Sequence, residues 1–253
     1  MIGSNNSKIL SCVTNKLVVG VIILRGKLIV IEAGDGSGKA TQTKLLYERL
    51  STEHYNVKRV EFPNYKSDSS ALIKMYLNGE FGRDPNDVNP FVASTFYSVD
   101  RYASYKKEWE GFYQSGGIIL ADRYTTSNMV HQAAKIVNNN DRNDYLKWLW
   151  DLEFEKFRLP IPDCVIFLNM HPSFSQKLIN NRPNKFNEHN ENEKDIHERN
   201  YEYLVHSYNN ACEIAAKYGW SMVNCVQDGQ LRSIEEIHVD IYKLVKERLD
   251  QEV

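Results

Sequence analysis

The chain has 253 residues, with 31 Lys and Arg against 33 Asp and Glu, so its formal net charge is -2. That near balance excludes a nucleic-acid binder held by bulk charge, and any anion site must be local. With 42% hydrophobic and 25% charged residues, the composition is that of an ordinary folded chain and not of a disordered one.

The four cysteines, Cys12, Cys164, Cys212 and Cys225, include no CxxC pair. They read as reduced thiols in a cytoplasmic protein. The longest apolar run, Leu17 to Leu24, is too short for a bilayer span, which needs about 20 residues. Residues 1–25 are expected to be an N-terminal extension. Their lack of Asp and Glu leaves an organelle-targeting segment as the alternative. A single domain is expected over 26–253.

In chain order, strand-like runs are predicted at Lys27–Glu32, Val57–Phe62, Gly117–Ala121, Cys164–Asn169 and Ser221–Val226. Helices are predicted at Lys39–Leu50, Ser69–Leu77, Pro90–Tyr113, Ser127–Val137, Asp144–Phe157, Pro172–Asn180, Asp195–Tyr218 and Ile234–Leu249. Strands alternating with helices imply a three-layer α/β/α fold around about five parallel strands. One stretch, Asn180–Lys194, is almost free of apolar side chains and reads as an exposed loop or as a lid over phosphates.

The strongest local signal is the run Leu28–Glu32 entering Gly34-Asp35-Gly36-Ser37-Gly38, after which Lys39 opens a helix. A strand, a glycine-rich turn and a helix N-terminus together cradle phosphate through backbone N–H groups, and Lys39 adds a full charge. The phosphate-binding stretch is expected to continue through Ala40 and Thr41. Two positions depart from the G-x-x-x-x-G-K-[ST] pattern: Ala33 stands at its first glycine, and Ala40 replaces the hydroxyl that normally touches magnesium.

Three further segments, FPNY at Phe62–Tyr65, FYSVDR at Phe96–Arg101 and ADRYTTSNMVHQ at Ala121–Gln132, follow in an order and spacing that resemble thymidylate kinases. The resemblance runs from about Gly26 to the C-terminus and implies the P-loop NTPase-type nucleoside monophosphate kinase fold. It further implies phosphorylation of dTMP by ATP with Mg²⁺, in a homodimer. Asp35 would then lie near the sugar, with Phe62 and Pro63 lining the monophosphate pocket. Tyr97 would stack on the base, Arg101 reach base or monophosphate, and Arg123 the phosphates. Asp122 would approach the metal through water, and Asn128 and Gln132 would face the base edge. Because Gly36 stands where some members carry an arginine, the basic residue over the phosphates is expected from the lid, 180–199. Arg182 or Lys185 are the candidates, ahead of Lys194 and Arg199. Tyr65 and His131 depart from the usual residues of the acceptor pocket, which leaves a related kinase with another acceptor open. Ala33 and Ala40 leave open a nucleotide-binding protein with little catalysis. Tyr97 as plain core, Arg101 as a solvated arginine and Asn128 as a helix-start residue are the non-functional alternatives.

Overall fold

In the computed structural model, which describes residues 25–179 and 196–250, successive residues of the first strand are buried on opposite faces. Strand β1 (Lys27–Ala33) sends Ile29 and Ile31 to one side and Leu28 and Val30 to the other. A strand apolar on both faces belongs inside a parallel sheet covered twice. The sheet has five parallel strands in the order β2-β3-β1-β4-β5. The other four are β2 (Val57–Glu61), β3 (Ile118–Asp122), β4 (Cys164–Asn169) and β5 (Ser221–Asn224).

Helices α1 (Lys39–Thr52) and α10 (Ile234–Asp250) cover one face, with Leu46, Leu50, Ile237, Ile241 and Val245 packed on Ile29, Ile31 and Ile166. On the other face Trp109, Tyr113, Tyr124 and Phe154 pack on Leu28, Val30 and Ile119. These aromatics come from α3 (Pro90–Ser104) and its continuation through α4 (Glu110–Gln114), and from the region of α5 (Thr125–His131) and α6 (Asn139–Trp150). Between β2 and α3 lies α2 (Ala71–Leu77), and between β4 and β5 lie α7 (Pro172–Ile179), α8 (Ile196–Arg199) and α9 (Tyr201–Tyr218). A short antiparallel hairpin, β6 (Val226–Gln227) and β7 (Gln230–Leu231), precedes α10.

All five expected strands are present, but four helix predictions need correction. Pro90–Tyr113 is not one regular helix: a π-helical turn, Tyr105–Trp109, separates α3 from α4. Helix α5 starts at Thr125, two residues before the predicted Ser127, so Asn128 is an interior residue and not a helix start. The helix expected over Asp144–Phe157 begins at Asn139, where the Asn138 side chain accepts from the Asn140 N–H at 2.8 Å, and it passes into a π-helical segment at Asp151–Lys156. The stretch Asp195–Tyr218 is divided at Asn200, whose side chain caps α9 by accepting from Tyr203 N–H at 2.9 Å. The lid candidates Arg182, Lys185 and Lys194 lie outside the described residues, as do residues 1–24.

Candidate active site

The ends of β1, β2, β3 and β4 on one edge of the sheet contribute to adjoining cavities, as expected for an open α/β sheet. After β1 the chain turns through Gly34–Gly38, where Gly36 and Gly38 have φ of 73° and 78°, values at which a side chain would be strained. Gly38 is the N-cap of α1, so the first free N–H groups of that helix open into the turn. Lys39 is buried at the same place. Burial first, and the Arg123 charge second, push its amine down to about 8 against the pull of Asp122, Asp35 and Glu32. Ser37 Oγ is buried without a hydrogen-bond partner among the described residues. An ammonium depressed by burial and an unsatisfied hydroxyl, set at a helix N-terminus, are groups that a phosphate would satisfy together.

Two cavities meet at Asp35. The first is lined by Asp35, Phe62, Pro63, Tyr97, Arg101, Arg123, Asn128 and Gln132, the eight residues expected to hold the monophosphate. The second is lined by Asp35 through Thr41 with Asp122, and is closed by Leu231, Arg232, Ile234 and Ile237. Gly34 opens onto a smaller adjoining cavity with His131. Val226 and Gln227 of β6 do not line the second cavity; Leu231 of β7 and the residues that follow it do.

Arg123 stands between the two cavities in a left-handed backbone conformation, φ 66°, which is costly for a residue with a Cβ. Four groups hold it there. Its Nη2 donates to Asp35 Oδ1 at 2.5 Å, and its Nη1 lies within 3.1–3.3 Å of His131 Nε2, Glu32 Oε1 and Ser127 Oγ. Burial opposes its charge, but Asp35 and then Glu32 outweigh that and hold it raised. Because the guanidinium only donates, His131 Nε2 must accept. Burial and then Arg123 push that imidazole down to about 3, so it is neutral with its proton on Nδ1. His131 Nδ1 and Gln132 Oε1 are buried in the cavity wall with no partner among the described residues.

Arg101 is not a solvated arginine. It is 1% exposed, and its Nε donates to Glu153 Oε2 at 2.8 Å while Nη2 donates to Glu153 Oε1. Tyr97, one turn earlier on α3, is half-buried in the same cavity wall and meets Tyr76 edge-on. Asp100, on that helix too, accepts from the Asn64 N–H at 2.8 Å and so fixes the loop carrying Phe62 and Pro63, whose peptide bond is cis. Asn128 Nδ2 donates to Ser94 O at 3.3 Å.

The sequence reading missed three buried polar residues. Glu32 is fully buried and accepts from Thr126 Oγ1 and Ser127 Oγ at 2.7 Å each, besides Arg123. A carboxylate inside the apolar run Leu28–Ala33 was the available signal, since such a group requires partners. Glu153 gave no such signal, because a π-helical turn sets its direction. His197 of α8 reaches the first cavity and shares a 2.9 Å hydrogen bond with Tyr76 Oη.

For a magnesium ion, two carboxylates line the second cavity, Asp122 at the end of β3 and Asp35, and Asp35 is already paired with Arg123. No group of three or more metal-ligating His, Cys, Asp or Glu occurs among the described residues. A carboxylate not taken by an arginine, Asp122, beside the glycine-rich turn fits magnesium, which usually keeps waters and takes the remaining oxygens from substrate phosphates. Ala40 contributes no hydroxyl.

A glycine-rich cradle after β1, a buried lysine at the helix start, and an arginine-lined cavity sharing a wall with it define a P-loop phosphotransferase acting on a small phosphorylated acceptor. The family model described as Thymidylate kinase matches residues 31–227. The chain is 30% identical over 225 residues to a probable thymidylate kinase of Thermococcus onnurineus, covering 87% of this chain and 98% of that protein. It is 28% identical over 221 residues to a thymidylate kinase of Plasmodium falciparum, covering 87% and 90%. Among solved structures, the thymidylate kinase of Candida albicans superposes with a TM-score of 0.65 over 90% of this chain and 94% of that one, at 22% identity. This chain belongs to the thymidylate kinase family and is a nucleoside monophosphate kinase.

Proposed function

We propose that this protein transfers the γ-phosphoryl group of ATP to the 5′-phosphate of dTMP, giving dTDP and ADP. The observation that carries the reading is the shared wall: Asp35 lines both cavities, with the P-loop and Lys39 on one side and Arg123, Arg101 and Tyr97 on the other. Donor and acceptor phosphates placed in the two cavities would meet beside Lys39 and Arg123. The acceptor is already an anion, so a general base has little to add. Positioning and charge neutralisation supply the rate. Bound magnesium, held by Asp122, would screen charge on the donor phosphates. The basic residue over the phosphates is assigned to Arg182 or Lys185, and the Arg182→Ala, Lys185→Ala double variant should lose turnover about 10²-fold.

Product analysis with ATP, magnesium and dTMP, dUMP, dCMP, dGMP or dAMP offered separately tests this. Strong dTDP formation, abolished by Lys39→Ala, is expected; a better product from another monophosphate would replace the acceptor. A wider acceptor range has one specific support, the polar His131 and Gln132 atoms left unpaired in the acceptor wall. The Candida albicans structure is described as revealing the origin of broad substrate specificity in that enzyme. We assign the protein to the cytoplasm; among the described residues no helix is long and apolar enough to cross a membrane. A homodimer is supported by an exposed apolar stripe on α3, Val92, Val99 and Tyr102 at helical spacing.

A further inference from the structure

Two fully buried glutamates lie behind the acceptor cavity, and neither lines it. Glu153 accepts from Arg101 Nε and Nη2, from Ser98 Oγ at 2.7 Å and from Thr125 Oγ1. Four donors saturate a carboxylate, so Glu153 has no capacity left for a ligand. Arg101 is different. Of its five N–H donors, Nε and one on Nη2 go to Glu153, and one on Nη1 reaches Tyr124 O at 3.4 Å. The other two have no partner among the described residues, and the side chain lines the cavity. Burying a guanidinium to 1% exposure with two donors unmatched is costly unless something arrives to accept from them.

The direction of those donors is set from behind. Glu153 takes the Nε side of the fork, which turns the outer Nη edge away from it. Thr125 Oγ1 donates to Glu153, while the next residue, Thr126, donates from Oγ1 to Glu32 Oε2. Glu32 in turn holds Arg123 and accepts from the Ala33 N–H at the entry to the P-loop. The two cavity arginines are thus tied to each other through two carboxylates and two adjacent hydroxyls.

We propose that Glu153 is a positioning residue for acceptor recognition, fixing Arg101 in the cavity wall, and that Thr125 and Thr126 couple this arginine to the one that Glu32 holds beside the P-loop. The proposal rests on the acceptor reading above. It assigns Glu153 no contact with substrate; its effect passes through Arg101.

Steady-state kinetics of the full chain with Glu153→Gln, Arg101→Leu and the double variant test it, with circular dichroism as the folding check. Glu153→Gln should raise KM for dTMP by about tenfold, the scale of a charge-assisted hydrogen bond, and leave KM for ATP within about twofold. In the Arg101→Leu background the Gln substitution should add nothing, because the residue it positions is gone. Equal rises in both KM values, or effects that multiply in the double variant, would overturn the proposal. If Glu153→Gln does not fold, Thr125→Val decides by the same comparison: a smaller rise confined to dTMP, absent in the Arg101→Leu background, supports it. Wild-type protein that ignores dTMP but uses another monophosphate sinks the acceptor assignment alone, and the series is then run with that monophosphate. If no monophosphate turns over, the functional reading and the positioning proposal fall together.

Discussion

Lys39 carries a testable sign. Its amine is pushed down to about 8 in the free chain, chiefly by burial. Polyphosphate beside it favours the charged form, so binding takes up a proton near that pH. ATP affinity measured by calorimetry should therefore be flat below pH 8 and decline as pH rises through it. The same depressed pKa means that the charged lysine destabilises the ligand-free chain below pH 8, a penalty that fades as the amine deprotonates. Lys39→Met should accordingly raise the melting temperature of the free protein while lowering turnover by at least 10²-fold. Glu32 works in the opposite direction. Its neutralisation takes one of two carboxylate partners from the partly buried Arg123 guanidinium while Asp35 remains, and Glu32→Gln should cost about 1–3 kcal/mol in denaturant unfolding. At this scale the P-loop lysine, the cleft arginines and the aromatic Tyr97 were legible from their motifs. Glu32 was legible only as an anomaly in an apolar strand, and nothing nearby in sequence says what it binds.

Among the elements, the π-helical segments explain where sequence periodicity failed. Glu153 and Phe154 are consecutive and both buried, and they lie in a π-helical segment and not in a regular helix. The segment Asp151–Lys156 widens the turn so that Phe154 fills the core while Glu153 reaches Arg101. The sequence reading placed Glu153 inside one plain helix, Asp144–Phe157, and gave it no role. Deleting exposed Asp151 removes the extra residue and should restore α-helical phase. The expected result is a folded chain whose KM for dTMP rises as in Glu153→Gln, checked by circular dichroism and kinetics on one preparation. The break at Asn200 has a similar lesson. An Asn that caps α9 was indistinguishable in sequence from a polar residue inside one longer helix. Strands were easier, because runs buried on both faces carry their signal in composition as well as in alternation.

The whole molecule was legible in its order of elements: strands alternating with helices, with a phosphate loop after the first strand, restrict the topologies to few. The cleft followed from that order, since the ends of β1, β2 and β3 deliver Asp35, Phe62 and Arg123 to one edge. The closing wall of the second cavity was not legible, because its residues come from a hairpin of two-residue strands and the start of α10. Assembly is the property at this scale still to be measured. Val99→Glu on the exposed stripe of α3 should convert a dimer to a monomer in sedimentation equilibrium at unchanged fold.

Thr125 and Thr126 are neighbours in the chain, and their hydroxyls lead to different carboxylates and so to different arginines. The separation between the two guanidinium groups is then referred to a single peptide unit, whose Cα–Cα length is about 3.8 Å and does not stretch. On the proposed coupling the cleft should behave as a fixed-gap gauge, so that a compound with both recognised groups but a longer or shorter body satisfies one arginine at a time.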